Sequence, residues 1–335
     1  MFRVMFRIVS LLICLAPTLS AADPINLKLS FFTSDRSQIY QISVKPFVDA
    51  VNAEANGLIH IDVYFSGVIS DVQALQPQLV SDGTTDLAFI VPSRTPDRFH
   101  DSSVLELPGL FPDGLAASRV FTRLIGSGAL AGYEDFHVLG AFVSGPEAIN
   151  SRKEIASIAD LQGLTVRVNN PVEADVLQRF GAVPVLLAVN QTAEALSRGL
   201  IEAATLPPSM LPEFGVGRVS TNHFMIGLGG APTALVMNRA KFDGLPMRAQ
   251  AVIRKYSGDW LSDYSARKFE ELDQRVLKDL EADPRRKVVF PSEADEAAIQ
   301  AVYSRVIGDY DGSSNHHRDL LARVRAELAN PRPTE

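Results

Sequence analysis

Arg167 stands between Val166 and Val168 in a short run, Thr165 to Val168, that has the pattern of a buried strand. A guanidinium taken out of water without a partner is costly, so an anion is expected beside it. Guanidinium is planar and offers two parallel donors to a carboxylate. A solvent-facing side chain or an internal acid would satisfy the same pattern. Asn169 and Asn170 follow at the carboxyl end of the run, before Pro171. Ligands of α/β sheets sit at such strand ends, so Asn169 is a candidate second donor, with a turn role before the proline as the alternative. Asp71 opens a predicted helix, Asp71 to Asp82, and reads either as a ligand contact or as a helix-start acid.

Signatures of catalysis are missing from the chain. It contains no H-E-x-x-H, no metal-spaced Cys/His cluster, no phosphate-binding P-loop and no G-x-S-x-G elbow. His60 and His137 lie on strand patterns and read as structural residues. His316-His317 is an adjacent pair in a predicted polar loop near the C-terminus and reads as solvated, so no metal site and no cofactor are expected. A serine nucleophile would need a base and an orienting acid that sequence alone does not reveal. The expectation is a binding protein, with a periplasmic enzyme or a stand-alone ligand sensor as alternatives.

The elements that would position these residues follow an α/β order. Ile25–Phe31 and Ile59–Tyr64 alternate apolar and polar residues as strands do, and Asp86–Val91 is nearly all apolar, as for a strand covered on both faces. Helices are predicted over Lys45–Asn56 and Asp71–Asp82, closed by Gly57 and Gly83. The order repeats from Phe136 through Leu206, with a helix predicted from Pro171 to Phe180. From Arg248 to Ala282 a long helical stretch is broken only by Gly258. Such an order implies two α/β lobes with a mixed sheet in each, a cleft between them and a long helix shared by both. The lobes are expected to comprise 23–144 with 233–272, and 145–232 with 273–326, leaving 327–335 as a flexible tail.

The first 22 residues have the pattern of a secretory signal peptide. Arg3 and Arg7 precede the apolar run Ile8–Leu15, and Ser20-Ala21-Ala22 supplies small residues for cleavage. The single cysteine, Cys14, falls inside this segment, so a mature chain would carry no thiol. Formal net charge is −7 with no basic stripe, which argues against nucleic acid as a partner. A periplasmic monomer is expected.

Several stretches resemble one family, the solute-binding proteins of tripartite ATP-independent periplasmic (TRAP) transporters. Asp160-Leu-Gln-Gly-Leu-Thr-Val-Arg167-Val is similar to the family's D-L-x-G-[LK]-x-[IV]-R-V. Gly181-Ala-Val-Pro184 resembles G-A-x-P, Ala195-Leu-Ser-Arg-Gly199 resembles A-L-x-x-G, and Leu107-Pro-Gly-Leu-Phe111 resembles L-P-[FY]-L-F. Thr221-Asn-His223 and Asn238-Arg-Ala-Lys-Phe-Asp-Gly-Leu-Pro246 are similar to two further segments, in the family's order. The resemblance implies a two-lobed binding fold, an organic-acid ligand held by Arg167, hinge closure, and delivery to TRAP permease membrane subunits. The binding protein of an ATP-driven transporter is the nearest rival.

The departures from the family's pattern bear on ligand chemistry. Where the family often carries a second arginine in a G-[FW]-R turn, this chain has Gly145-Pro146-Glu147. A ligand-contacting asparagine becomes Leu206, and an aromatic residue becomes Val189. Two first-lobe positions that are often polar are Phe32 and Val91. His223 is the histidine nearest a family motif, and is either a ligand contact or hinge packing. Together these changes imply a pocket with an anion clamp and apolar walls, suited to a small monocarboxylate.

Overall fold

A computed structural model describes residues 24–330. The signal-peptide segment and Cys14 lie outside these residues, as do residues 331–335 of the stretch read as a tail. The helix Asn315–Ala329 runs into the beginning of that stretch.

Among the described residues eleven strands form two sheets: β1 Ile25–Ser30, β2 Ile59–Tyr64, β3 Leu87–Ile90, β4 Phe136–Val143, β5 Glu147–Ser151, β6 Thr165–Val168, β7 Val183–Leu186, β8 Ala203–Leu206, β9 Asn222–Leu228, β10 Pro232–Asn238 and β11 Lys287–Val289. The first sheet has the order β2-β1-β3-β10-β4 and the second β11-β9-β5-β8-β6-β7. Both are mixed. In the first, β2, β1 and β3 run parallel while β10 is antiparallel to its neighbours. In the second, β5 is antiparallel to both β8 and β9, while β6, β7 and β8 run parallel. All four residues of β3 are buried, as an apolar run in a covered central strand should be.

Each sheet is therefore the centre of one lobe of a two-lobed α/β fold, and the chain crosses between them repeatedly. Residues 143–147 lead from β4 to β5, and 228–232 return from β9 to β10. These crossings lie side by side: Ser144 N donates to Ala231 O at 3.1 Å, and Ala231 N donates to Ser144 Oγ at 2.9 Å. The stretch read as one long helix is two, Met247–Lys255 and Asp259–Ala282, separated at Gly258, whose φ of +65° suits glycine. Helix Asp259–Ala282 packs along β4 at one end and against β11 at the other, so it touches both lobes. The C-terminal helices behave similarly. Glu293–Ser313 packs on helix Pro171–Arg179 of the second lobe, and Asn315–Ala329 on helix Gly114–Gly126 of the first. One apolar core, from Ala88 and Phe136 through Tyr303 and Leu320 to Val166 and Phe224, joins the lobes behind the cleft.

Two local expectations are corrected. Asp71 does not open a helix: a 3₁₀ turn starts at Gln73 and the α-helix at Gln76, with Pro77 in its first turn, where a missing N–H costs nothing. His316 and His317 are not in a loop but in the first turn of helix Asn315–Ala329, whose cap Ser314 accepts from His317 N.

The paired crossings leave no room for a side chain. A Cβ on Gly230 would lie 2.1 Å from Ser144 O, and one on Gly229 2.0 Å from Glu106 O. Backbone atoms cannot rotate away, so Gly230→Ala should destabilise the protein by about 1–3 kcal/mol, the usual cost of overpacking. Thermal unfolding checks this; an unchanged Tm would show that the crossings can separate freely.

Candidate functional site

A cavity of ≈ 100 Å³ lies between the sheets. Its walls are apolar: Phe32, Phe89, Val91, Phe142, Phe214 and Phe269 among them, with Val189, Leu206 and Met210. Its polar end carries Arg94, Glu147, Arg167 and Asn169. Arg167, Asn169, Glu147, Leu206, Val189, Phe32 and Val91, chosen from the sequence, are thus brought to one cavity. Asp71 and His223 are not among its lining residues. Asp71 borders a neighbouring surface groove with Thr33 and Gln191. His223 is fully buried on β9, with Nδ1 2.7 Å from Asn150 Oδ1 and Nε2 3.3 Å from Arg286 Nη1. Burial and the Arg286 charge hold its imidazole down to about 4, so it is neutral and structural.

Arg167 is 1% exposed. Strand β6 aims it beneath the cavity, where Nε donates to Leu187 O at 3.0 Å and Nη1 to Thr205 O at 3.0 Å. Its Nη2 donates to Asn169 Oδ1 at 3.2 Å. The same amide oxygen accepts from Arg94 Nη2 at 2.7 Å. Arg94 comes from the other lobe, on the turn Pro92–Arg94 that follows β3, and its Nε is buried without a partner. Two guanidinium groups from opposite lobes therefore share one neutral oxygen. Burial lowers the pKa of both, and at Arg94 the Arg167 charge lowers it further. Guanidinium nevertheless stays protonated in proteins.

Three buried carboxyls surround this pair. Glu173, in the first turn of helix Pro171–Arg179, accepts from Asn169 N at 2.9 Å, Asn170 Nδ2 at 2.9 Å and Thr205 Oγ1 at 2.5 Å. Burial raises its pKa, opposed by Thr205, Asn169 and the two arginines. Glu147 is 3% exposed and its Oε2 has no hydrogen-bond partner. Burial first, and then the Glu173 charge, push its pKa well above the ordinary range. Glu106 is raised well above it too, by burial and then by Glu173 and Glu147. Three acids whose burial favours the neutral form thus face two guanidinium groups that stay charged.

Sequence reasoning missed Arg94, Glu173 and Glu106. Arg94 could have been found by the rule that ligands lie beyond the carboxyl ends of strands, since it closely follows β3. Glu173 looked like any acid in a first helical turn, and Glu106, between Leu105 and Leu107, carried the buried-charge signal that singled out Arg167.

This geometry can be set beside known proteins. The family described as DctP, bacterial extracellular solute-binding protein, family 7, matches residues 30–312. The 2,3-diketo-L-gulonate-binding periplasmic protein YiaO of Escherichia coli is 24% identical over 257 residues, covering 75% of this chain and 77% of its own. The C4-dicarboxylate-binding periplasmic protein DctP of Rhodobacter capsulatus is 23% identical over 265 residues, covering 77% and 78%. Among solved structures, a marine metagenome TRAP solute-binding protein specific for aromatic acids, in complex with metahydroxyphenylacetate, superposes with a TM-score of 0.85 at 25% identity, covering 91% of this chain and 98% of its own. A TRAP solute-binding protein of Rhodoferax ferrireducens with copurified benzoate does so with a TM-score of 0.83 at 26% identity, covering 91% and 98%. The fold, the matched length and these relatives agree: the chain belongs to the family 7 (DctP) bacterial extracellular solute-binding proteins, the TRAP type.

Proposed function

We propose that the protein is a monomeric periplasmic receptor that captures a small, mostly apolar monocarboxylate, above all one with a single aromatic ring, and hands it without turnover to TRAP permease subunits. The observation that carries this reading is a cavity with two buried guanidinium groups from opposite lobes at one end and phenylalanine and aliphatic walls elsewhere. The ligand carboxylate takes donors from Arg167 and Arg94, in place of the amide oxygen they now share. The ring lies among Phe32, Phe89, Phe142 and Phe269. Burying the ring contributes about 25 cal/mol per Å² of apolar surface removed from water. Dicarboxylates and sugar acids fit poorly, because each buried polar group left unpaired costs about 1–3 kcal/mol. The aromatic-acid and benzoate complexes of relatives at 25% and 26% identity support the same ligand class. Residues 1–22 act as the export signal, and the lobes, taken as 23–144 with 233–272 and 145–232 with 273–326, close about the crossings.

Calorimetric titration tests the ligand class. Aromatic or branched-chain monocarboxylates should bind more tightly than succinate or glucuronate. If succinate or a sugar acid displaces every monocarboxylate tried, the reading of the apolar wall is wrong. Arg167→Ala should weaken acid binding tenfold to more than a hundredfold, from loss of about 1.5–3 kcal/mol of charge-assisted bonding. Unchanged affinity in a folded variant would remove Arg167 from the site.

Glu147 makes the charge balance depend on pH. The charged groups facing it are Glu173, Arg167 and Arg94, with Glu106 close to them. Its pKa is raised in the folded state above the ordinary 4.5. Stability from this group is then fully present below about 4.5 and is lost as pH rises through the folded value. An anion in the cavity raises the pKa further, so acid affinity should fall over the same rise. Glu147→Gln keeps the shape and cannot ionise. It should be more stable than wild type by a margin that grows with pH, and its affinity should lose this pH dependence. A parallel pH profile for the two proteins, in melting and in titration, would show that Glu147 is ionised throughout.

A further inference from the structure

A second cluster of potential ligand atoms lies among residues that do not line the cavity. The 3₁₀ segment His100–Glu106 of the first lobe meets the first turn of the helix Asn315–Ala329. Asp101 is 1% exposed, and its Oδ2 accepts from Ala131 N at 2.9 Å, which fixes the carboxylate plane. Its Oδ1 lies 2.6 Å from His316 Nε2 and 3.3 Å from His100 Nε2. One ligand atom from each of the three residues lies within 4.8 Å of the others. The histidine side chains are 55% and 56% exposed, so the imidazoles can turn and solvent can reach the space between them.

We propose that His100, Asp101 and His316 form a binding site for a divalent transition-metal ion of the zinc class, which pins the C-terminal helix to the first lobe. Two imidazoles and a carboxylate are the donors such an ion favours, whereas magnesium and calcium prefer oxygen alone. Zinc bonds of about 2.0–2.2 Å around a tetrahedron set ligand atoms roughly 3.3–3.5 Å apart. The His100–Asp101 separation already matches. The His316–Asp101 contact is now a direct hydrogen bond and opens by less than about 1 Å to admit the ion. Three protein ligands leave the fourth position to water. The Ala131 amide supplies the outer hydrogen bond that holds a ligating carboxylate in place. Residues 100 and 316 are distant in sequence, so the ion would close a long loop and stabilise the folded chain by binding it alone.

The test uses untagged protein stripped with EDTA and dialysed. Zinc chloride titrated calorimetrically should bind at one ion per chain and raise the Tm, and EDTA should reverse the shift. His100→Ala and His316→Ala, both at exposed side chains that folding should tolerate, should each weaken zinc binding at least about tenfold and abolish the Tm shift. His60→Ala should bind as wild type does, and magnesium chloride should not bind at all. The proposal is overturned if wild type shows no saturable zinc binding, if either His100→Ala or His316→Ala binds zinc as wild type does, or if magnesium binds equally well. In the first case the three residues are only a hydrogen-bonded staple between helix and lobe.

Discussion

Two guanidinium groups from different lobes donate to a single amide oxygen, that of Asn169, and much of the site follows from that shared acceptor. A neutral oxygen cannot balance two positive charges in a water-poor cleft. The acids around it compensate in part, but they are themselves buried, and burial favours their neutral forms. At Glu173 the backbone of Asn169, the side chain of Asn170 and the hydroxyl of Thr205 converge and oppose that effect. The polar end of the cavity thus holds two guanidinium groups with no ionised partner in direct contact on Asn169 Oδ1. Asn169 links these layers: its backbone donates to Glu173 while its side chain faces both arginines.

The fold places these groups on both lobes. Arg94 follows β3 in the first sheet, and Arg167 and Asn169 end β6 in the second. Contact between Arg94 and Asn169 is thus contact between lobes. The crossings beside Ser144 and Ala231 are held by hydrogen bonds with glycine on the return strand, a narrow ribbon between the sheets. Behind them a continuous apolar core and the shared helices limit how far the lobes can part. An anion that bridges Arg94 and Arg167 would favour the closed arrangement by its differential affinity for that state.

How much of this was legible in the sequence depended on whether the signal was local. Strands β1, β2 and β3 and helix Pro171–Arg179 were visible because their apolar spacing is local. Arg167 was visible because valines flank it. Strands β5, β9 and β11 went unseen. The first two bury Asn150, Ser151 and His223, which read as surface residues until the partner across the sheet is known. Asp71 was misplaced because Pro77 starts its helix later than the acidic cap suggested. Arg94, Glu106 and Glu173 come together only through the tertiary fold, so no spacing rule marks them as a set. The departures at Glu147, Val189 and Leu206 were read from family resemblance, and they line one cavity with Arg167.

The central claim is that the two arginines bind an anion and that the apolar wall receives what carries it. Comparing a bound monocarboxylate with its own primary amide tests this directly, since shape and apolar surface are nearly unchanged and only the charge is lost. Calorimetric titration of benzoate and benzamide, or of the tightest acid found and its amide, measures the difference. The account expects the amide to bind at least about a hundredfold more weakly, as befits loss of a charge-assisted pair with two buried arginines. Equal affinity for acid and amide would mean that the arginines are already neutralised within the protein, and would contradict it.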